Sequence, residues 1–286
     1  MGDFFMRRKY MFIFAVIVIV AAGLMLYVEK NGVSDTSASE VGISAGQAIL
    51  IDGSSGRVLY EKNADERAYP ASTTKIMTAL ITIETLRENN SPMDQLVEVP
   101  ACAQGIEGSS IYLRAGEKIS IEDLLYGLML VSGNDAAVAL AEIIGGSQKN
   151  FVGMMNRRAQ QLGCSNTHFA NPNGLFDENH YTTARDMAII SLEASKDPAF
   201  RKIVAAESRT AEREDNSYVD FRNKNKTIYE YRGGNGMKIG YTSGSGRTLV
   251  ASSKRGRRSM ICVVMSAPDW FNDAYRLMDY GYSRTK

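Results

Sequence analysis

The chain has 286 residues, 44% of them hydrophobic and 23% charged, with a formal net charge of +1; this is globular composition, long enough for a sizeable core. The first 30 residues carry four basic and two acidic side chains, leaving 29 basic against 30 acidic in the rest. That near-neutral body gives nucleic-acid binding no electrostatic support. Three scattered cysteines, Cys102, Cys164 and Cys262, and two histidines make neither a disulfide framework nor a zinc site, so no metal or cofactor is expected and the thiols read as small buried hydrophobes.

Arg7, Arg8 and Lys9 precede an uncharged apolar run from Tyr10 to Val28. As a helix it would extend about 28 Å, most of a hydrocarbon core. Basic residues on its N-terminal side predict a cytoplasmic segment over 1–9, a transmembrane anchor over 10–28 and an extracytoplasmic body. The run is long for a signal peptide, and Leu26-Tyr27-Val28 is a poor cleavage site. The small, polar stretch 29–43 reads as a linker, and the ordered body is expected over 44–286. Gln47–Asp52 and Arg57–Glu61 read as a hairpin around Gly53-Ser54-Ser55-Gly56. After Pro70 the period changes, and Ile76, Met77, Leu80, Ile81 and Ile83 predict a buried helix. Residues 120–144 read as two helices broken at Val131–Asn134, and 150–162 as a third. Thr183 with Asp186 reads as a capping box. Arg247–Ser253 and Ser259–Ala267 read as strands flanking the basic turn Lys254–Arg258, and Trp270–Tyr282 as a closing amphipathic helix. Strands at both ends and helices between predict an α+β domain, its antiparallel sheet built from both chain ends around a helical middle lobe.

Three short motifs occur in order: Ser72-Thr73-Thr74-Lys75, Ser132-Gly133-Asn134 and Lys238-Ile239-Gly240. Each alone is weak, since S-x-x-K turns up roughly once by chance in a chain this long. Ser283–Lys286 also matches it, and Lys30–Gly32 and Lys254–Gly256 match K-x-G. Context separates them. Ser72 opens an apolar helix, so Ser72 and Lys75 share a face. A serine is a poor nucleophile until a base takes its proton, and burial lowers a lysine's pKa enough for that work. His168 and His180 are then left with structural roles.

The set resembles the signature of penicillin-binding proteins and serine β-lactamases. Pro70–Leu80, Gly108–Glu117, Val131–Ala136 and Asn166–Leu175 narrow the resemblance to low-molecular-mass D-alanyl-D-alanine carboxypeptidases, over about residues 45–285. It implies that Ser72 attacks the penultimate D-Ala carbonyl of a peptidoglycan stem peptide, with Lys75 as base. Ser132 would relay a proton to the departing D-Ala, Asn134 would hold a substrate amide and Lys75, and Lys238 would attract the terminal carboxylate. Gly240 would let the substrate lie along the strand edge, and the backbone N–H groups of Ser72 and Tyr241 would form an oxyanion hole. β-Lactams are implied as covalent inhibitors.

Ile239 departs from the pattern, whose middle residue is Thr or Ser. Losing that hydrogen bond to a carboxylate costs about 1.5–3 kcal/mol, roughly ten- to a hundred-fold, and Thr242 is the residue expected to substitute in part. Members of the group often carry a C-terminal β-domain and a terminal anchor helix. Neither is read here, so the N-terminal run is expected to anchor the protein. Two other readings compete. Ile239 is the one feature favouring a peptidoglycan- or partner-binding homologue without turnover. A β-lactamase would need a deacylating carboxylate from an E-x-x-L-N loop, which is missing between Asn134 and Lys238; Asp186 and Glu193 fall in a predicted helix instead.

Overall fold

The computed structural model describes residues 41–213 and 217–285. Of the two compact units into which the chain divides, Met1–Glu40 and Val41–Lys286, the described residues belong to the second. The segments expected over 1–9 and 10–28, and most of the linker, lie outside the described residues. Among the described residues no helix is long and apolar enough to cross a membrane.

In chain order the elements are β1 (Gln47–Asp52), β2 (Val58–Lys62), a 3-10 turn (Ala71–Thr74), α1 (Lys75–Glu88), β3 (Leu96–Glu98), β4 (Lys118–Ser120), α2 (Ile121–Leu130), α3 (Asn134–Gly145), α4 (Gln148–Gln161), α5 (Ala184–Lys196), α6 (Pro198–Val204), β5 (Ser208–Glu212), β6 (Tyr218–Arg222), α7 (Thr227–Glu230), β7 (Gly234–Thr242), β8 (Gly246–Arg255), β9 (Arg258–Met265) and α8 (Trp270–Arg284). The main sheet has the order β2-β1-β9-β8-β7, and every neighbouring pair is antiparallel. This is the α+β architecture expected, with strands from both chain ends in one sheet.

Side chains alternate between the sheet's two faces, as the two-residue period of a strand requires. Ile49, Ile51, Val250, Ile261 and Val263 pack into the helical lobe around α1. Ala48, Leu50, Leu249, Ala251, Met260, Cys262 and Val264 pack under α8. With both faces covered, α1 runs through the lobe's interior, buried from Lys75 to Ile83, which is why its sequence is apolar all round.

Local chemistry sets the boundaries. Asp52 Oδ1 accepts from Ser54 N and Ser55 N in the β1–β2 turn, a side-chain-mimicked turn. Gly256, at φ +63°, opens the two-residue turn between β8 and β9, so only Gly256 and Arg257 of the expected five-residue turn stand outside the strands. Ser120, Ser147 and Thr183 cap α2, α4 and α5 through their side chains. The Thr183 box is half formed: Thr183 Oγ1 accepts from Asp186 N at 3.0 Å, while Asp186 Oδ2 turns to Asn166 N and Thr167 Oγ1.

The body also starts earlier than Ser44. Val41 and Ile43 pack against the α8 cluster, and Ser44 Oγ donates to Asp273 Oδ2 at 2.7 Å. Cys164 and Cys262 are buried as expected, whereas Cys102 is exposed. The two small two-stranded sheets β3–β4 and β5–β6 carry no period long enough to be read in advance.

Candidate active site

The sequence places Ser72 at the start of an α-helix; the structure places it in the 3-10 turn Ala71–Thr74, with Lys75 opening α1. In a 3-10 turn residues i and i+3 eclipse, so Ser72 and Lys75 align more directly than an α-helix would allow. The turn is held in an unusual conformation, with Ala71 at φ +47°, where non-glycine residues are uncommon. Thr73 Oγ1 and Thr248 Oγ1 donate to Pro70 O at 2.7 and 3.1 Å, and Thr74 Oγ1 donates to Ala71 O at 2.7 Å. His180 supports it from behind. Its Nδ1 accepts from Ala170 N at 3.0 Å, which leaves Nε2 as the donor to Thr74 Oγ1 at 2.7 Å. Burial pushes its pKa down to about 4, so it is a neutral brace, the structural role expected.

Lys75 is fully buried, and its Nζ lies 2.9 Å from Ser72 Oγ, 2.7 Å from Asn134 Oδ1 and 2.6 Å from Asn173 O. Asn134 Nδ2 donates to Glu107 O at 2.7 Å, which fixes the amide orientation and leaves Oδ1 facing the lysine. Burial first, then the nearby Lys238 and Lys224 ammonium groups, hold the Lys75 pKa well below its ordinary value; Asp135 opposes them. A neutral amine has two N–H donors and one lone pair. Asn134 Oδ1 and Asn173 O can only accept, so they take the two donors, and the lone pair is left for the Ser72 hydroxyl.

The Val131–Gly133 turn links α2 to α3 and puts Ser132, buried, at φ +70°. Strain of this kind collects at functional sites. Asn134 opens α3, and the buried Asp135 beside it organises the 108–117 segment, accepting from Ser110 Oγ at 2.6 Å and from Ile111 N and Leu113 N at 3.0 and 3.1 Å.

The third motif lies on β7, an edge strand of the main sheet. Lys238 is buried; burial, then Lys224, bring its pKa down to about 7. A Cβ on Gly240 would stand 2.8 Å from Ser72 N and 3.1 Å from Ala71 Cβ, so only glycine lets the strand approach the nucleophile turn. Ile239 points the other way, paired across the strands with Leu249 and packed against the α8 cluster. Tyr241 is exposed. Thr242 N is spent inside the hairpin on Ser245 Oγ at 3.0 Å, and the alternation of an antiparallel strand turns Tyr241 N outward, to the open edge. The compensation expected of Thr242 fails. Its hydroxyl donates to Ser245 Oγ at 2.9 Å and accepts from Ser245 N at 3.0 Å, because the tight turn needs both.

The structure thus brings Ser72, Lys75, Asn134 and Gly240 into direct contact, with Lys238 near enough to depress Lys75. Sequence reading missed Asn173, whose signal is the Asn171-Pro172-Asn173-Gly174 run. Asn171 and Asn173 shape that loop through Gly174 N and Leu175 N. Gly174, at φ +86°, is the one residue that fits against Ala71, where a Cβ would stand 1.9 Å from Ala71 O. Asp186 and Glu193 both lie in α5, Glu193 in an ion pair with Arg158.

Comparison with known proteins shows what the chain is similar to. The family model for D-alanyl-D-alanine carboxypeptidase matches residues 34–269. The chain is 40% identical over 250 residues to D-alanyl-D-alanine carboxypeptidase DacF of Bacillus subtilis, covering 86% of this chain and 64% of that protein. It is 34% identical over 274 residues to DacC of Escherichia coli, covering 92% of this chain and 67% of that one. It therefore spans about two thirds of the length of these relatives. The crystal structure of the Streptomyces K15 DD-transpeptidase superposes with a TM-score of 0.79 at 33% identity, over 85% of this chain and 98% of that one. The chain belongs to the D-alanyl-D-alanine carboxypeptidase family.

Proposed function

We propose that the protein is a serine D-alanyl-D-alanine carboxypeptidase that removes the terminal D-Ala from peptidoglycan stem peptides through an acyl-enzyme on Ser72. The observation that carries this reading is the Lys75 amine, 2.9 Å from Ser72 Oγ with its other two contacts on pure acceptors. In its neutral form the amine takes the Ser72 proton as Oγ attacks the penultimate carbonyl. The oxyanion forms between Ser72 N and Tyr241 N, and Ser132 passes a proton to the departing D-Ala. The substrate backbone lies along the open edge of β7. Lys238, with a pKa of about 7, is drawn into its charged form by the incoming carboxylate, and that charge in turn keeps Lys75 neutral. Water then cleaves the ester. β-Lactams would be trapped by the same serine.

The apolar run 10–28 would anchor the protein in the cytoplasmic membrane with the catalytic body outside, where its substrate is. The test is D-Ala release from an acyl-Lys-D-Ala-D-Ala peptide by the protein and by Ser72→Ala. Release abolished in the variant supports the reading. Peptide binding without release by the unaltered protein refutes it and favours the non-hydrolysing homologue that Ile239 suggests.

A further inference from the structure

At the end of the main sheet away from the Thr242–Gly246 hairpin lies a cavity of about 500 Å3. It is an open cavity bordered by the β1–β2 turn, the start of β7, the β8–β9 hairpin and α6, and none of Ser72, Lys75, Ser132, Asn134 or Lys238 lines it. Its wall holds three cations, Arg201, Lys254 and Arg257, and no carboxylate.

The basic run Lys254–Arg258 is divided by this cavity. Arg255 turns to α8 and pairs with Asp279 at 3.1 Å, and Arg258 donates to Tyr282 O at 3.0 Å. Lys254 and Arg257 instead line the cavity, and among the described residues neither has an ion-pair partner. Among the described residues Arg201 donates to the backbone, to Ser195 O and Lys196 O, and to no carboxylate. Asp52, next to the lining residue Gly53, is turned into its own hairpin by Ser54 N and Ser55 N. Other arginines of the body, among them Arg158, Arg185, Arg209 and Arg213, are matched to carboxylates. Three cations on one wall with no carboxylate among the lining residues make a positive surface that attracts an anion. Ser54 Oγ and Ser259 Oγ stand 3.1 Å apart on the same wall; whichever donates, the other hydroxyl hydrogen is left for a ligand.

We propose that this cavity is an anion site that takes a phosphate group presented by a phosphodiester-linked polyanion. Three cations suit the multiple oxygens and charge of a phosphate better than a single carboxylate. The volume lies in the range of small-molecule sites, roughly 300–1,000 Å3, which leaves room for the links on either side of the phosphate. The site would hold the enzyme against an acidic polymer while the cleft at the other end of β7 stays free.

The test is calorimetric titration of the full-length chain in detergent with short linear polyphosphate and, separately, inorganic phosphate. Polyphosphate should bind, and Lys254→Gln/Arg257→Gln should weaken it about ten-fold or more, as expected for losing hydrogen bonds to a charged group. Lys149→Gln/Arg157→Gln removes two exposed cations outside the cavity and should leave the affinity unchanged. Equal losses in the two double variants would reduce the effect to general attraction and overturn the site, as would failure of the unaltered chain to bind polyphosphate. Vesicles with phosphatidylglycerol that bind through Lys254 and Arg257 when free polyphosphate does not would overturn the polymer assignment in favour of a lipid headgroup.

Discussion

Gly240→Ala tests how closely the edge strand and the nucleophile turn are fitted. The added methyl would stand 2.5 Å from Thr248 Oγ1, 2.8 Å from Ser72 N and 3.1 Å from Ala71 Cβ. Comfortable contact begins near 3.4 Å, so relief against Ser72 N alone needs a shift of about 0.6 Å. The turn has little room to give. Gly174 is packed behind Ala71, and Thr248 Oγ1 holds Pro70 O. A shift of that size would carry the 2.9 Å contact between Ser72 Oγ and Lys75 Nζ toward about 3.5 Å, the edge of hydrogen bonding. Misplacing reacting groups by about 1 Å costs on the order of a hundred-fold, so for a shift of about 0.6 Å kcat should fall roughly 10- to 30-fold. D-Ala release and covalent labelling by a fluorescent penicillin measure that loss, and thermal melting checks that the fold persists. Release within about three-fold of the unaltered enzyme, at unchanged Tm, would refute the clamped-turn argument.

Three further substitutions probe the charges and the motif's odd residue. Lys75→Arg replaces the neutral amine with a cation that cannot accept a proton, so acylation should fall by about 10²–10⁴, and stopped-flow labelling with penicillin would show it; retained acylation would remove Lys75 as the base. Lys238 has a folded pKa of about 7 against its ordinary 10.5, so the fold binds fewer protons than the unfolded chain between those values and stability rises with pH across that window. Lys238→Met should therefore be more stable than the parent at pH 6, by on the order of a few kcal/mol, with the gap closing toward pH 10; urea melts giving a pH-independent gap would contradict this. Ile239 points away from the nucleophile turn into the α8 cluster, so Ile239→Thr should leave the kcat/KM ratio of a free-carboxylate peptide over its amide essentially unchanged while costing roughly 1 kcal/mol of burial beside Leu249. A rise of about ten-fold in that ratio would show that a hydroxyl at 239 does reach the carboxylate.

The fold was legible wherever a period ran long enough to count. The β1–β2 hairpin, α1, the α2–α3 break and the β8–β9 pair all stood in the pattern. The small sheets β3–β4 and β5–β6 did not, since three to five residues per strand give too few alternations. Ser72 with Lys75 was readable because the two are three residues apart on one turn. Asn173 was not, because it acts through its backbone carbonyl, which any residue possesses. Thr242 was misread for a related reason: a hydroxyl's availability depends on its neighbours, and Ser245 had already claimed it. The conformation at Ala71 also escaped notice, being imposed by Gly174 and Gly240 from distant parts of the chain.

The partners that shape Lys75 come from 59 and 98 residues further along the chain, and Gly240 and Lys238 follow later still. A nascent chain that has formed α1 alone therefore carries its serine and lysine side by side yet remains chemically inert. Without a sealed interior the lysine keeps its hydration and its proton, and the serine has no base. On the proposed mechanism the site is complete only when the last strands of the sheet are in place, so the onset of D-Ala release would report that the sheet and the helical lobe have closed on each other.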